Sequence, residues 1–236
     1  AALCDEARVR EAIAGLEDRL AIAGVNAPAN VVISGESEAL RLAADRLAAV
    51  SVTVKPLKVS HAFHSPLMAP ILDAFRRAAS EVRFSPPRLE IISNVSGRIA
   101  GDEIATPAYW VEHVMRPVRF AESIATASAS GCRAYVEVGP HPTLLGLARQ
   151  CLPADGPEAW IPSLRRDRPE RDEMLLGAGM LWSRGLLLDW QAVLGARGRR
   201  IDLPGYPFQR RTYWPTVAIS SRVGFDEVHE LTWRPV

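Results

Sequence analysis

Over the first 57 residues the apolar positions switch repeatedly between a period of two and a period near 3.6, the marks of strands and helices. Ala1–Cys4 is a short apolar run. Glu6–Gly15 places Ala7, Val9, Ala12 and Ile13 on one helical face. Arg19–Val25 alternates as a strand, Asn26 to Asn30 is rich in turn residues, and Val31–Ser34 is a second strand broken by Gly35. Glu38–Val50 carries Leu40, Ala43, Ala44, Leu47 and Ala48 at helical spacing, and Ser51–Leu57 alternates again. The order βαββαβ predicts a complete split-βαβ, ferredoxin-like unit over residues 1–57.

The pattern then changes at Val59-Ser60-His61-Ala62-Phe63-His64-Ser65-Pro66-Leu67-Met68. Ser65 suits a helix N-cap, because its hydroxyl can accept a first-turn N–H, and Pro66 suits the first helical position. Leu67, Ile71 and Phe75, with Met68 and Leu72, predict an apolar stripe on the helix that follows. Leu89–Ser93 reads as a buried strand after Pro86-Pro87. Tyr109–Val114 reads as helical, interrupted by Pro117, and Phe120–Ser130 as a helix closed by Gly131. Arg133–Val138 is a strand running into Gly139-Pro140-His141-Pro142, and Leu144–Leu152 a helix with Thr143 as its cap. Such alternation predicts a largely parallel sheet covered by helices. From Pro153 the texture becomes richer in Pro, Gly and Arg, around a helix at Arg171–Arg184. Leu203 to Trp214 has the prolines and aromatics of a strap lying on another surface. Ser220–Val236 reads as a connector and one strand.

Composition changes this picture little. The chain has 236 residues, 48% of them hydrophobic, enough for one good core or two small ones. A net charge of +1 gives no general attraction to nucleic acid or membrane. Cys4, Cys132 and Cys151 are odd in number and widely spaced, which fits reduced thiols in the cytoplasm. No stretch approaches the ~18 unbroken apolar residues of a membrane span, and no signal peptide opens the chain. Ala1 to Cys4 reads like the inside of a strand, so the sequence is expected to be a cut through a longer polypeptide.

The candidate chemistry centres on the histidines. His61 and His64 are three apart and can share a face, but a metal site needs about three protein ligands and no neighbouring Asp, Glu or Cys supplies the rest. A general base is the sharper reading of His64, since imidazole titrates near neutral pH and a helix N-terminus favours its neutral form. The competing reading is a half-buried histidine that only packs. A nucleophile is missing. Ser65 is committed to capping, and Gly-x-Ser-x-Gly occurs nowhere. The nearest approach, Gly35-Glu36-Ser37-Glu38-Ala39, has alanine in place of the last glycine and glutamates that would oppose an oxyanion. The arginines at 197, 199 and 200, with Arg210 and Arg211 among aromatics, fit a docked strap better than a nucleic-acid surface, given the near-zero charge.

Several segments together resemble the acyltransferase domain of modular type I polyketide synthases, relatives of the malonyl-CoA:acyl-carrier-protein transacylases. They are Val25-Asn26-Ala27-Pro28 with Val31–Gly35, His61–Met68, Tyr109-Trp110 with Arg116-Pro117-Val118-Arg119-Phe120, Val136–Pro142, and the Tyr206–Trp214 strap. The last residues, Glu230–Val236, resemble the opening strand of a ketoreductase structural region. The resemblance implies an α/β fold: a ferredoxin-like subdomain at 1–57 set on an incomplete α/β-hydrolase-like acyltransferase core at 58–153. A post-acyltransferase linker at 154–214 and a connector at 215–236 complete the implied domain order.

The same resemblance implies that His64 is the catalytic base of a ping-pong transfer. A serine attacks malonyl-CoA, and the acyl group then passes to the phosphopantetheine thiol of an acyl carrier protein. It implies that the backbone carbonyl of His113 orients His64, that no cofactor or metal is bound, and that ketosynthase and ketoreductase domains share the polypeptide. His61-Ala62-Phe63-His64 matches the form associated with malonyl selection, Phe63 filling space that a serine would leave for an α-methyl group. One methyl in a tight pocket decides about 1–3 kcal/mol. The family's Gly-His-Ser-x-Gly nucleophile and its carboxylate-binding arginine are not in this sequence, so the chain alone is expected to be inactive. The alternative is a non-catalytic docking or scaffold segment of a multidomain synthase.

Overall fold

The computed structural model describes residues 1–57, 59, 61–156, 159–195 and 201–211. Its chain divides into two units, Ala1–Val193 and Leu194–Val236.

The first unit opens on the predicted βαββαβ order. Helix α1 (Glu6–Ile13) starts at Asp5, whose carboxylate accepts the Arg8 N–H at 3.0 Å. It stops at Gly15, where φ of +76° turns the chain out of the helix. Strands β1 (Leu20–Ala27) and β2 (Asn30–Gly35) form an antiparallel hairpin, with irregular register near Gly24 and Asn26. Helix α2 (Ser37–Ala49) buries Ala39, Ala43 and Leu47, of which Ala43 and Leu47 belong to its predicted stripe of five. The outer two expected strands are reduced to single antiparallel bridges: Ala2 pairs with Val31 on one side and Val54 on the other. Backbone bonds from Ala2 to Val31 (2.7 Å), Leu3 to Thr53 (2.9 Å) and Lys55 to Ala1 (2.7 Å) fix that order, Val54, Ala2, β2, β1. The core is the set between this sheet and the two helices, with Val9, Leu20, Val31 and Leu47 almost wholly buried.

The rest of the unit departs from expectation in several places. The helix after Ser65 begins as a 3-10 turn, Pro66–Ile71, and becomes α-helical only in α3 (Leu72–Ser80). Pro70 lies inside that turn and has no N–H for an i−4 bond, which accounts for the tighter start. Its predicted stripe is not buried: Leu67, Ile71 and Phe75 are exposed and only Met68 is inside. Leu89–Ser93 is not a buried strand. It makes one antiparallel bridge, Ile92 to Ile99, and Leu89 is 80% exposed because no ladder covers it on either side among the described residues. Thr143 does not cap its helix. The Glu137 carboxylate reaches forward instead and accepts the N–H groups of Thr143, Leu144 and Leu145 at 3.0, 3.0 and 2.9 Å, opening α6 (Leu144–Ala148).

Helix α4 (Pro107–Met115) is capped by Thr106, and α5 (Phe120–Ala129) is closed at Gly131, where φ is +90°. Strand β3 (Ala134–Glu137) pairs in parallel with β4 (Ala159–Pro162), a strand that the sequence pattern did not single out. The parallel sheet is thus two strands wide among the described residues. Helix α7 (Glu170–Trp182) packs on β4 at Gly177, where a Cβ would stand 3.1 Å from Ile161 Cγ2. The short α8 (Trp190–Leu194) follows, with Trp190 edge-on to Trp182 at 6.0 Å.

In the second unit residues 201–211 form no helix or strand and are exposed, and the rings of Tyr206 and Phe208 meet edge-on at 5.5 Å. The end of the strap at 212–214, the connector and the Glu230–Val236 strand lie outside the described residues. No helix among those described is long and apolar enough to cross a membrane.

Candidate active site

The site is built on a left-handed turn. His64 has φ of +59°, a region where non-glycine residues are uncommon and histidine is among those that tolerate it. Ser65 holds it there. Its side chain is wholly buried; its hydroxyl donates to the Ala62 carbonyl at 2.6 Å and accepts the Leu67 N–H at 3.3 Å. With both functions engaged it fastens the turn and is not available as a nucleophile. Pro66 then starts the 3-10 turn, so His64 sits just outside a helical N-terminus as the sequence predicts.

His64 is half-buried, and its Nδ1 is enclosed with no hydrogen-bond partner. A buried nitrogen of this kind carries a desolvation cost that a facing acceptor or donor would remove. The His113 ring lies edge-on to the His64 ring with centroids 6.0 Å apart. Tyr109 and Trp110 flank His113 at 6.0 and 5.9 Å. Tyr109 shares a 2.7 Å hydrogen bond with the Ser93 hydroxyl, and Trp110 Nε1 donates to the Ile104 carbonyl at 2.9 Å, so both flanking rings are anchored. Burial first, and then the neighbouring His64, lower the His113 pKa from its ordinary value of 6.5.

The backbone of α4 adds a further feature. The helical partner of the His113 carbonyl is residue 117, and Pro117 has no N–H to donate. A carbonyl acceptor is therefore left without its helical donor at the residue whose ring meets His64.

His61, Phe63 and His64 line one cleft of about 960 Å³ together with Val118 and with Gly24 and Asn26 of residues 1–57 (the small unit within Ala1–Val193). This is the upper end of the volume range of small-molecule sites. Phe63 is 52% exposed and its ring lies 5.7 Å from that of His61. The structure thus brings His61, Phe63 and His64 to one cavity and places His113 behind His64. Sequence reasoning missed Ser65's second hydrogen bond, the Tyr109–Ser93 anchor and Val118's place in the cleft wall. Only a Pro four residues after His113 gave a sequence-level signal for any part of this. Ser37 lies at the start of α2 on the same cleft, with Glu36 held by Arg19 at 3.5 Å. Among the described residues no three His, Cys, Asp or Glu side chains come together as metal ligands.

Residues 1–181 match the acyl transferase domain family. The chain belongs to that family. It is 46% identical over 204 residues to the phenolphthiocerol synthesis polyketide synthase type I Pks15/1 of Mycobacterium bovis, an alignment covering 85% of this chain and 10% of that protein. Among solved structures it is similar to the acyltransferase domain from the second module of the salinomycin polyketide synthase. That likeness has 40% identity and a TM-score of 0.81, and covers 86% of this chain and 48% of the other. The malonyl-CoA:acyl carrier protein transacylase of Xanthomonas oryzae is 25% identical with a TM-score of 0.63, over 70% of this chain and 53% of that one. The chain spans about half the length of these solved acyltransferases and about a tenth of the synthase. The α/β acyltransferase fold and the relation to multidomain polyketide synthases follow from these matches.

Proposed function

We propose that this chain is the part of a polyketide synthase acyltransferase that carries the catalytic histidine, with malonyl-CoA as acyl donor and an acyl carrier protein as acceptor. The carrying observation is His64: a strained, serine-fastened turn presents it to a large cleft, and the ring packs against His113, whose carbonyl has Pro117 where a helical donor would stand. In this reading the His113 carbonyl accepts from His64 Nδ1–H during the reaction, which leaves the other ring nitrogen free to take a proton. A serine supplied by the remainder of the domain loses its proton to His64 and attacks the thioester carbonyl. The C–S bond breaks, and the CoA thiolate takes the proton back from His64. The phosphopantetheine thiol then repeats the sequence on the acyl-serine, and the serine leaves with the proton. No resident cofactor or metal takes part. The reading places a ferredoxin-like subdomain at 1–57, the hydrolase-like core from 58 to 153, a linker to 214 and a connector beyond. Ketosynthase and ketoreductase domains share the polypeptide, and the protein works in the cytoplasm.

His61 and Phe63 form the acyl pocket, and Phe63 favours malonyl over methylmalonyl by occupying the α-methyl position. Two measurements test the reading. Incubated alone with malonyl-CoA, the chain gains no malonyl mass, because it lacks the acyl-accepting serine; a malonylated chain by intact mass refutes this. Completed with the upstream half of the salinomycin-module domain, it transfers malonyl to a carrier protein, and His64→Asn abolishes the transfer. Transfer that survives His64→Asn overturns the assignment, and a completed domain that still transfers nothing favours a docking role.

A further inference from the structure

Beyond α4 the chain makes four ties within seven residues of His113, one of them from the Arg119 N–H to the Asn94 carbonyl at 2.7 Å. Val118 lies along β1: its N–H donates to the Ala23 carbonyl and its carbonyl accepts the Val25 N–H, both at 2.9 Å. Gly24 sits opposite as a parallel bridge, and a Cβ there would stand 3.6 Å from Val118 Cβ, so the two backbones run at close range. Arg119 then reaches back to the first turn of α1 and meets Glu6 at 2.7 Å. Both side chains are three-quarters or more buried. Burial by itself would raise the Glu6 carboxyl, but hydrogen bonds and charge from Arg119 and Arg10 outweigh it and hold the group below the ordinary carboxylate value. Each partner has a second one, Arg10 for Glu6 and Glu122 for Arg119 at 3.5 Å, so removing one member loosens the tie between the segments without leaving the other charge unpaired.

We infer that Glu6 and Arg119 are positioning residues for His64. The ion pair pins the Pro117–Arg119 segment to the small unit, and that segment in turn holds the end of α4, with His113, against the His64 ring. Neither residue touches the cleft; their effect on the histidine passes through Val118 and α4. The inference rests on His64 being the acyl-transfer base, and it adds that the small unit, through α1, sets how that base is held. A movement of α1 and β1 would reach His113 through the same backbone bonds.

The test uses the whole 236-residue chain, labelled for NMR, with Arg119→Met and Glu6→Gln. Two signals are read: hydrogen exchange at the Val25 and Val118 amides, and the ring resonances of His64, assigned with His64→Asn. Each single variant is expected to speed exchange at both amides by about tenfold through easier local opening. Each also moves the His64 ring resonances, while the amides inside α2 keep their protection. The reversed pair, Glu6→Arg with Arg119→Glu, restores both signals. Faster exchange at Val25 and Val118 with unmoved His64 resonances overturns the inference, because the pair is then a fastener only. A reversed pair that fails to restore the ring resonances overturns it equally. Should Arg119→Met not fold, Arg119→Lys keeps the charge but loses the planar fork and reads the same two signals. Neither signal depends on acyl transfer, so a histidine that is no base is detected separately, in the transfer assay of the completed domain.

Discussion

The His113 carbonyl lies four residues before Pro117, which returns no N–H to it. Arg116 donates to Glu112, so α4 closes one residue short of satisfying His113. Arg116 is extended, as a residue before proline tends to be; Pro117→Ala lifts that restriction and lets α4 run on until residue 117 donates to the His113 carbonyl. In the completed acyltransferase this variant is expected to lower transfer by up to about a hundredfold, within the 10²–10⁴ that general base catalysis contributes. Stability should change by less than about 1 kcal/mol, the scale of a proline's effect on the unfolded chain. Single-turnover transfer read beside a denaturation curve checks both, and an unaltered rate removes the carbonyl from the mechanism.

Phe63 is half-exposed in the cleft wall beside His64, so its ring can be trimmed without opening a core. Phe63→Ser is expected to raise the use of methylmalonyl relative to malonyl by roughly 10–200-fold, the range that one methyl decides. Competition between the two thioesters on the completed domain measures the ratio, and an unchanged ratio excludes Phe63 from selection.

The lowered pKa of His113 carries a sign. Burial and His64 favour its neutral form in the folded chain, so between the folded value and 6.5 the unfolded chain binds more protons. Stability should therefore fall as pH drops below 6.5 and level off below the folded value. His113→Asn should flatten that part of the profile. Urea unfolding over about pH 5 to 8, compared between the two proteins, shows it; parallel profiles count against the shift.

Glu137 caps α6 from six to eight residues upstream, taking three N–H groups on one carboxylate. Glu137→Ala should cost about 1–2 kcal/mol, the upper part of the range for a lost cap. Glu137→Gln keeps one oxygen acceptor and should cost less. Denaturant midpoints rank the three proteins, and an alanine variant as stable as the parent contradicts the cap.

What the sequence pattern conveyed, and what it did not, divides by the range of the interaction. The order of elements in the first 57 residues was readable because Gly15 and the Leu40–Leu47 stripe act within a few residues of themselves; the Asp5 cap is just as local but was missed. Ser65 and Pro66 announced the turn at His64 for the same reason. The outer strands shrank to bridges at Ala2 and Val54 because pairing depends on partners about thirty and fifty residues away, which alternation does not reveal. Pro70 was visible, but its effect on helix type was overshadowed by the apolar spacing around it. Glu137 outcompeted Thr143 as a cap through a loop closure that local capping rules do not anticipate. The family motifs brought His61, Phe63, His64 and His113 into view as a set. Their meeting with Val118 and the small unit's sheet is tertiary, made by segments that local pattern does not link.

The left-handed backbone at His64 has a consequence for genetics. Alanine at this position would lose the imidazole and also carry a Cβ-bearing residue into a conformation it disfavours, so its phenotype mixes chemistry with folding. Asparagine accepts the same backbone and removes only the ring. Random mutagenesis should accordingly recover His64→Asn as a well-folded, transfer-dead protein, while most other replacements disappear at the level of soluble yield. A survey of abundance against activity at this one codon would separate the fold's demand for a left-handed residue from the reaction's demand for a histidine.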